Sequence, residues 1–198
     1  SMHMDLFDDP VTQNLLDTIS DASIVLGPID EGRYKQPHSV QIVAELCHHV
    51  HSINGSKHFA ITLGANRAPI DSVRAIQNAS SGHTGWCIAE YLYRFGHNVT
   101  VIAGKTSADP SFTLPNVIRA SCPDEMLEQC MVVAKSNPDG WVHAAAVLDY
   151  YTAPLEGKKA SGDDDWVLEL HPGPKHIKKT GLPYFPRFTK KKLVNESK

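Results

Sequence analysis

The sequence predicts an α/β protein with a Rossmann-like, three-layer parallel sheet and a small C-terminal strand extension. Short apolar runs alternate with stretches of helical periodicity along most of the chain. The clearest unit spans residues 59–104, where an apolar run, a Gly/Ser-containing loop, a helical pattern, a Gly stop and a second apolar run follow one another. This is the order of a βαβ unit. A chain of 198 residues, 41% of them hydrophobic, suffices for one sizeable core.

Each further element is predicted from its local pattern. Apolar residues at helical spacing indicate helices, short apolar runs indicate buried strands, and strict alternation indicates a half-exposed strand. In chain order we expect a helix over 39–50, strands near 58–63 and 98–103, a short strand over 117–120, a helix over 124–136, a buried strand over 141–147 that leads to Asp149, and a half-exposed strand over 166–170.

The predicted site lies at the ends of these strands. Gly64 and Asp149 each follow a strand, and sheets of this kind bind ligands beyond the carboxyl ends of their strands. The loop ending in Ser80-Ser81-Gly82-His-Thr-Gly85 opens a helix, so its backbone N–H groups and the helix dipole can hold an anion. The alternative is a helix cap without a ligand.

Several other classes of protein are excluded or disfavoured. The chain has no Gly-x-Gly-x-x-Gly directly after a strand, no P-loop and no Tyr-x-x-x-Lys pair. With a net charge of −3, no membrane-length apolar run and no signal peptide, we expect a cytoplasmic protein that binds neither nucleic acid nor membrane.

Three polar clusters each have an ordinary alternative. Cys47-His-His-Val-His51 suggests a metal site, but an exposed histidine-rich helix surface is favoured, and no metal ligands are assigned. The acidic run 163–165 could hold a cation or form a solvated turn. The basic residues near the C-terminus could contact phosphate or belong to a mobile end. The four cysteines form no Cys-x-x-Cys pair and are expected to be reduced.

One long motif resembles the phosphopantothenoylcysteine synthetase family, whose pattern is approximately T-A-G-G-T-x-E-P-I-D-x-V-R-x-I-x-N-x-S-S-G-x-x-G. Here the run is Thr62-Leu-Gly-Ala-Asn-Arg-Ala-Pro-Ile-Asp71-Ser-Val-Arg74-Ala-Ile-Gln-Asn78-Ala-Ser-Ser-Gly82-His-Thr-Gly85. A second block, Val142-His-Ala-Ala-Ala-Val-Leu-Asp149-Tyr150, is similar to the Ala-Ala-Val-Ala-Asp-Tyr strand end of that family. The resemblance covers roughly residues 25–178.

The resemblance implies a ligase of coenzyme A biosynthesis. Such an enzyme activates 4′-phosphopantothenate with CTP or ATP, with Mg²⁺, and then joins the acyl-nucleotidylate to cysteine. The family is often fused behind a flavin-dependent decarboxylase and is dimeric, so we expect an upstream decarboxylase domain, no FMN in this segment, and a homodimer formed through Tyr150-Tyr151 and the 166–170 strand.

The resemblance also divides the chain and assigns its site residues. Residues 1–37 are expected to hold a cloning scar, Ser1 to Met4, and a remnant of the decarboxylase–synthetase junction; 38–180 are the nucleotide-binding domain, and 181–198 a mobile basic tail. The implied catalytic residues are Asn78, Arg74 and Lys159, and the implied nucleotide-binding residues are Gly64, Ser80, Ser81, Gly82, Ala145, Asp149 and Lys158.

Some of these assignments have alternatives. Asn78 could instead close an Asx turn, and Arg74 could pair with Asp71. Either Lys158 or Lys159 could be the family lysine, with Lys159 favoured by spacing.

The chain also departs from the family pattern. Ala65, Ala68 and His83 replace family residues, the Asn-Pro-Asp-Ile segment is reduced to Gly173-Pro-Lys-His-Ile177, and the following strand and helix are missing. A catalytically impaired synthetase-like domain or truncated subunit is therefore the second hypothesis. A flavodoxin-like or sugar-nucleotide-binding module is the third.

Overall fold

The computed structural model describes residues 4–20, 26–30, 34–162 and 164–180. Within these ranges the helices are α1 (Met4–Phe7), α2 (Pro10–Ser20), α3 (Ser39–Ser52), α4 (His83–Arg94), α5 (Pro123–Ala134) and α6 (His176–Lys179). The strands are β1 (Ile29–Asp30), β2 (Tyr34–Lys35), β3 (His58–Leu63), β4 (Arg67–Pro69), β5 (Ala75–Gln77), β6 (Asn98–Ala103), β7 (Asn116–Arg119), β8 (Gly140–His143), β9 (Tyr150–Tyr151) and β10 (His171–Pro172).

The central sheet confirms the predicted α/β class. Its four strands are parallel and lie in the order β7-β6-β3-β8, with Ile61 of β3 opposite Val101 of β6 and Val142 of β8. The strands predicted near 58–63 and 98–103 are confirmed. The strand predicted over 141–147 ends earlier, at His143, although Ala144 and Ala146 still donate hydrogen bonds to the carbonyls of Thr62 and Gly64.

Helices cover both faces of the sheet because side chains alternate along β3. Ile61 and Leu63 pack with Trp86 and Ala89 of α4, whereas Ala60 packs with Met126 of α5 on the other face. The two faces therefore hold separate apolar clusters, and the molecule has the three layers predicted from the sequence.

Local chemistry sets the ends of the helices. Cys122 caps α5 in a capping box with Glu125, and Pro123 follows at the first helical position. Gly96 follows α4 with a φ of 82°, in the left-handed conformation that commonly ends a helix. Gly85 lets α4 pack directly on β3, since a Cβ there would lie 2.3 Å from Cβ of Leu63.

Two features of the loop regions differ from the sequence prediction. The segment between Leu63 and α4 is not a continuous loop, because β4 and β5 form an antiparallel hairpin with Ala68 opposite Ile76. Residues 166–170 alternate as predicted, with Trp166 and Leu168 half-buried and Val167 exposed, but they pair with no strand. The predicted 166–170 strand is therefore wrong: the segment is extended, yet no described strand edge forms a ladder with it. The C-terminal extension is instead the antiparallel pair β9–β10.

The histidine-rich part of α3 serves packing between helices. The ring of His48 stacks on Tyr93 at 4.1 Å, and its Nδ1 lies 2.8 Å from the Tyr93 carbonyl. Nδ1 of His51 lies 2.6 Å from the Arg94 carbonyl. The described residues contain no group of three or more His, Cys, Asp or Glu side chains able to hold a metal ion.

The remaining sequence predictions concern single features. All four cysteines are free, as expected. No helix among the described residues is long and apolar enough to cross a membrane. Most of the proposed cloning scar, Asp163 of the acidic run and the basic tail over 181–198 lie outside the described residues.

Candidate functional site

Two glycines and a threonine form the floor of the site at the carboxyl end of β3. Gly64 and Gly82 both adopt a positive φ, 81° and 80°. A Cβ on Gly82 would lie 2.6 Å from Cγ2 of Thr106 and 3.4 Å from Cα of Gly64, and one on Gly64 would lie 2.7 Å from the Lys105 carbonyl. Only glycine fits this conformation and this close approach without strain.

The amino end of α4 opens beside these glycines. Gly82 is its N-cap residue, and the Ser81 hydroxyl accepts a hydrogen bond from the His83 N–H at 3.3 Å. The Ser81 carbonyl accepts from Ser107 and Ala108, which fixes the loop after β6 against the cap. The first turn of a helix leaves backbone N–H groups without intrahelical partners, so this end can hold an anion.

Gly64, Gly82 and the amino end of α4 together form what we call the glycine cradle. Asn78 connects this cradle to the loop after β8. Its Nδ2 donates to the Ala146 carbonyl at 2.8 Å, and the same carbonyl accepts from the Asn66 N–H at 3.1 Å. The Ala146 N–H in turn donates to the Gly64 carbonyl. The Ser80 N–H donates to the Asn78 carbonyl, and Ala145 is half-buried against the α5 face of the core. The structure thus brings together Asn78, Gly64, Ser80 and Ala145.

Arg74 and Lys159 meet at the other end of β5. The buried carboxylate of Asp71 accepts from Nη1 of Arg74 and from the backbone N–H of Lys159, the latter at 3.2 Å. Nη1 of Arg74 also donates to the Lys159 carbonyl at 3.3 Å. The pairing of Arg74 with Asp71, left open as an alternative in the sequence, is present, and it places the lysine segment beside the arginine.

The Asp71 carboxyl is held in its charged form. Burial raises its pKa, but hydrogen bonds from the backbone N–H groups of Val73, Arg74 and Lys159 and from the Arg74 side chain outweigh burial and lower the pKa from 3.8 to about 2. The ionised carboxylate therefore holds the side chain of Arg74 and the backbone of Lys159 in place.

The two groups of residues are separated by the length of β5. Arg74 and Asn78 flank this strand, so their Cα atoms are about 13 Å apart at 3.3 Å per extended residue. A ligand that contacts both ends must be extended.

Asp149 lies at a third position and already has a partner. Its carboxylate forms an ion pair with Lys175, and its carbonyl accepts from the Gly173 N–H at 2.8 Å. The 173–177 segment therefore lies against Asp149. Lys158 is exposed.

The 173–177 segment also contains the buried His176, which lies near the half-buried His143 at the end of β8. His176 is 3% exposed, and neither of its ring nitrogens has a hydrogen-bond partner. Burial lowers the pKa of His176 against opposing effects of Asp124 and of the nearby Pro123 backbone, and burial together with His176 lowers the pKa of His143. Both rings are therefore neutral at pH 7.

Four residues near the site were not assigned from the sequence: Asp71, Thr106, Arg119 and Trp166. Arg119 ends β7, its guanidinium lies 5.4 Å from the Trp86 ring, and its Nη1 lies 3.4 Å from Oγ1 of Thr106. Its place at the carboxyl end of a predicted strand was an available signal. No sequence signal indicated Trp166, because the cations that its ring contacts, Lys159 and Arg74, lie 7 and 92 positions away along the chain.

A cavity of about 660 Å³ lies at the opposite edge of the sheet, lined by residues that include His58, Thr100, Asn116 and Ser136. These residues lie towards the amino ends of β3, β6 and β7, or follow α5. Parallel sheets bind ligands at the carboxyl edge, and the glycine cradle and both cations lie there, so we place the site at the carboxyl edge.

The fold and site define an α/β domain in which helix α4 begins beside two closely packed glycines at the carboxyl edge of a parallel sheet. The model of the DNA/pantothenate metabolism flavoprotein C-terminal domain matches residues 54–185, and the chain belongs to this family. The family resemblance seen in the sequence is confirmed.

Individual relatives agree with this assignment. The coenzyme A biosynthesis bifunctional protein CoaBC of Thermococcus kodakarensis is 34% identical over 182 residues, which cover 89% of this chain and 44% of that protein. The solved DNA/pantothenate metabolism flavoprotein from Streptococcus pneumoniae has 26% identity and a TM-score of 0.55, covering 63% of this chain and 64% of that chain. A solved Cab2 mutant in complex with phosphopantothenate-cysteine shares the fold at 19% identity and a TM-score of 0.54, covering 71% of this chain and 64% of that chain. This chain thus spans less than half the length of the Thermococcus relative.

Proposed function

We propose that this chain is a phosphopantothenate–cysteine ligase of coenzyme A biosynthesis that uses CTP or ATP. The observation that carries the proposal is the extended site along β5, with the anion cradle and Asn78 at one end and Arg74 with Lys159 at the other. Both proposed substrates, a nucleoside triphosphate and 4′-phosphopantothenate, are long molecules with separated anionic groups. The name of the Thermococcus relative, a coenzyme A biosynthesis protein, supports the same assignment.

The reaction has two steps. A carboxylate oxygen of 4′-phosphopantothenate attacks the α-phosphorus, the bond to the leaving pyrophosphate breaks, and an acyl-nucleotidylate forms. The cysteine amine then attacks the acyl carbon, the acyl–oxygen bond breaks, the nucleoside monophosphate leaves, and the amine loses a proton. Two anions must meet in the first step, so positive groups and N–H donors have to offset their repulsion.

The described residues suit these demands in distinct ways. The α4 terminus, Ser80, Ser81 and Gly82 would hold phosphates, with Arg119 adding a positive charge beside Thr106. Lys159 would offset charge where the carboxylate meets the α-phosphate. The neutral amide of Asn78 would donate to an oxygen of the activated acyl group without adding a charge beside it. Ala145, Asp149 and Lys158 would lie beside the nucleotide.

Mg²⁺ would enter with the nucleotide. The described part of the chain has no three-ligand cluster for a metal, and Mg²⁺ usually binds through phosphates, water and one or two carboxylates. Asp149 is the acid we assign beside the nucleotide. When bound, the ion would supply positive charge to the phosphates.

Nucleotide binding is the first test. At 100 times its dissociation constant, CTP or ATP with Mg²⁺ should stabilise the fold by about 2.7 kcal/mol, which for this size raises the melting temperature by roughly 5–10 °C. Arg119→Gln should reduce the shift, since it removes one charge near the cradle, and Lys135→Gln, on the exposed end of α5, should not. No shift at millimolar nucleotide would contradict the proposal.

A catalytically impaired domain is the second candidate because Lys175 already engages Asp149, the residue assigned to the nucleotide. Nucleotide binding without pyrophosphate release from 4′-phosphopantothenate would select this candidate. Pyrophosphate release would select the ligase.

The homodimer and the upstream decarboxylase also stay proposals. Of the surface first assigned to the dimer, residues 166–170 form no strand, and Tyr150–Tyr151 pair with His171–Pro172 of the same chain, so the contact between copies would not use a strand at 166–170. We expect a dimer by light scattering at tens of micromolar. A clean monomer would contradict this prediction.

A further inference from the structure

The ring of Trp166 lies close to both cations of the site. Cζ of Arg74 is 5.2 Å from the ring centroid, and Nζ of Lys159 is 5.4 Å from it. Both distances fall within the range of cation–π attraction. Trp166 is half-buried in the extended segment that forms no strand, so its place is set by side-chain contacts rather than by a sheet ladder.

The backbone of the lysine segment is anchored without Trp166. The Leu155 N–H donates to the Ile70 carbonyl at 2.8 Å, and the Ser72 N–H donates to the Gly157 carbonyl at 3.0 Å. The Lys159 N–H donates to the Asp71 carboxylate. These bonds fix the chain but leave the long lysine side chain to choose among rotamers, and Lys loses much rotamer freedom when it is held in one position.

The charges around the Trp166 ring indicate how the ring affects Arg74 and Lys159. The guanidinium of Arg74 pairs with the carboxylate of Asp71, whereas the ammonium of Lys159 has no carboxylate partner among the described residues, so one positive charge is left to meet an anion. Without an anion the cations repel each other, and the electron-rich face of an indole offsets part of that repulsion. The ring therefore holds both side chains near each other before a substrate arrives.

We propose that Trp166 is a positioning residue that presents Arg74 and Lys159 together to one oxyanion of the substrate, a carboxylate or phosphate. This proposal rests on the proposed ligase function and acts through the two cations rather than by contact with reacting atoms. It also predicts that a change of Trp166 lowers the rate of pyrophosphate release and leaves nucleotide binding unchanged. The reason is that Gly64, Gly82 and the amino end of α4 lie at the other end of β5.

The kinetic test compares Trp166→Leu with Trp166→Phe. Trp166→Leu should lower kcat for pyrophosphate release about tenfold, since it removes the attraction to both cations, whereas the shift in melting temperature caused by CTP should stay as in the wild type. Trp166→Phe keeps an aromatic face and should recover most of the rate. Tyr91→Leu, an exposed aromatic of α4, is the matched control and should change neither quantity. Equal rates for the Leu and Phe variants, or loss of the CTP shift in Trp166→Leu, would overturn the proposal.

A second measurement does not need activity. The chain has three tryptophans, and Trp86 and Trp141 are only 1% and 2% exposed, so acrylamide quenching of fluorescence reports mainly on Trp166. Lys159→Gln should increase quenching because it uncovers the ring, and Lys158→Gln should not. Unchanged quenching in Lys159→Gln would overturn the positioning role. An inactive wild type with the expected quenching would count against the ligase function alone.

Discussion

Lys159→Gln is expected to abolish measurable pyrophosphate release, with a rate loss of at least about 10²–10³ for removal of a charge that stabilises the transition state. The backbone of Lys159 is held by Asp71 and its side chain lies at the Trp166 ring, so this cation is fixed near Arg74. Lys135→Gln, at the exposed end of α5, is the control and should retain the wild-type rate of pyrophosphate release. The measurement is release of pyrophosphate from CTP or ATP with 4′-phosphopantothenate, after the wild type has been shown to be active.

Asn78→Asp, assayed in the same way, should separate the two steps. It should still release some pyrophosphate but form little amide, because a new negative charge would lie beside the acyl-nucleotidylate. The Asn78 amide donates to the Ala146 carbonyl, and a carboxylate in its place would face that oxygen without a proton to share. Equal loss of both steps in the Lys159 and Asn78 variants would refute this division, and full activity in both would refute the location of the site.

The central sheet was predictable because its signals are local and mutually consistent. The strand β3 is a single apolar run, α4 has an apolar face at helical spacing, and Gly96 ends the helix. Each of these signals agrees with the βαβ arrangement in which the strands are finally buried. Pattern and packing therefore give the same result for residues 58–103, apart from the β4–β5 hairpin.

The parts that were not predicted depend on distant partners. Alternation over 166–170 correctly indicated an extended chain, but a strand also needs an open neighbouring edge, which the pattern does not reveal. The hairpin β4–β5 was hidden because its strands have three residues each, too few for a period to show. Trp166 meets Lys159 and Arg74 only through the tertiary fold.

The candidate site was partly predictable for a different reason. The motif that contains Asp71, Arg74 and Asn78 is continuous in the sequence, so its residues could be named without a structure. Their separation along β5, and the use of Asp71 to join Arg74 to the lysine segment, required coordinates. A contiguous motif identifies residues but not which of them act on the same part of a ligand.

Asp71→Asn should lower both the rate of pyrophosphate release and the melting temperature. The asparagine amide would place a donor where the carboxylate now accepts from Arg74 and Lys159, so the two cations would move apart. Displacement of a positioned group by about 1 Å can cost about 100-fold in rate. Asp109→Asn, at an exposed position after β6, is the control and should match the wild type in both measurements.

The dependence of stability on pH provides a second test of the role of Asp71. The pKa of Asp71 is about 2 in the folded protein, below its ordinary value of 3.8, so its contribution to stability is fully present above pH ~4 and is lost as the pH falls through the folded pKa. The difference in melting temperature between wild type and Asp71→Asn should therefore be constant from pH 7 to about pH 4.5 and shrink below pH 4. A difference that already narrows between pH 7 and pH 5 would show that Asp71 is not held in its ionised form by these donors.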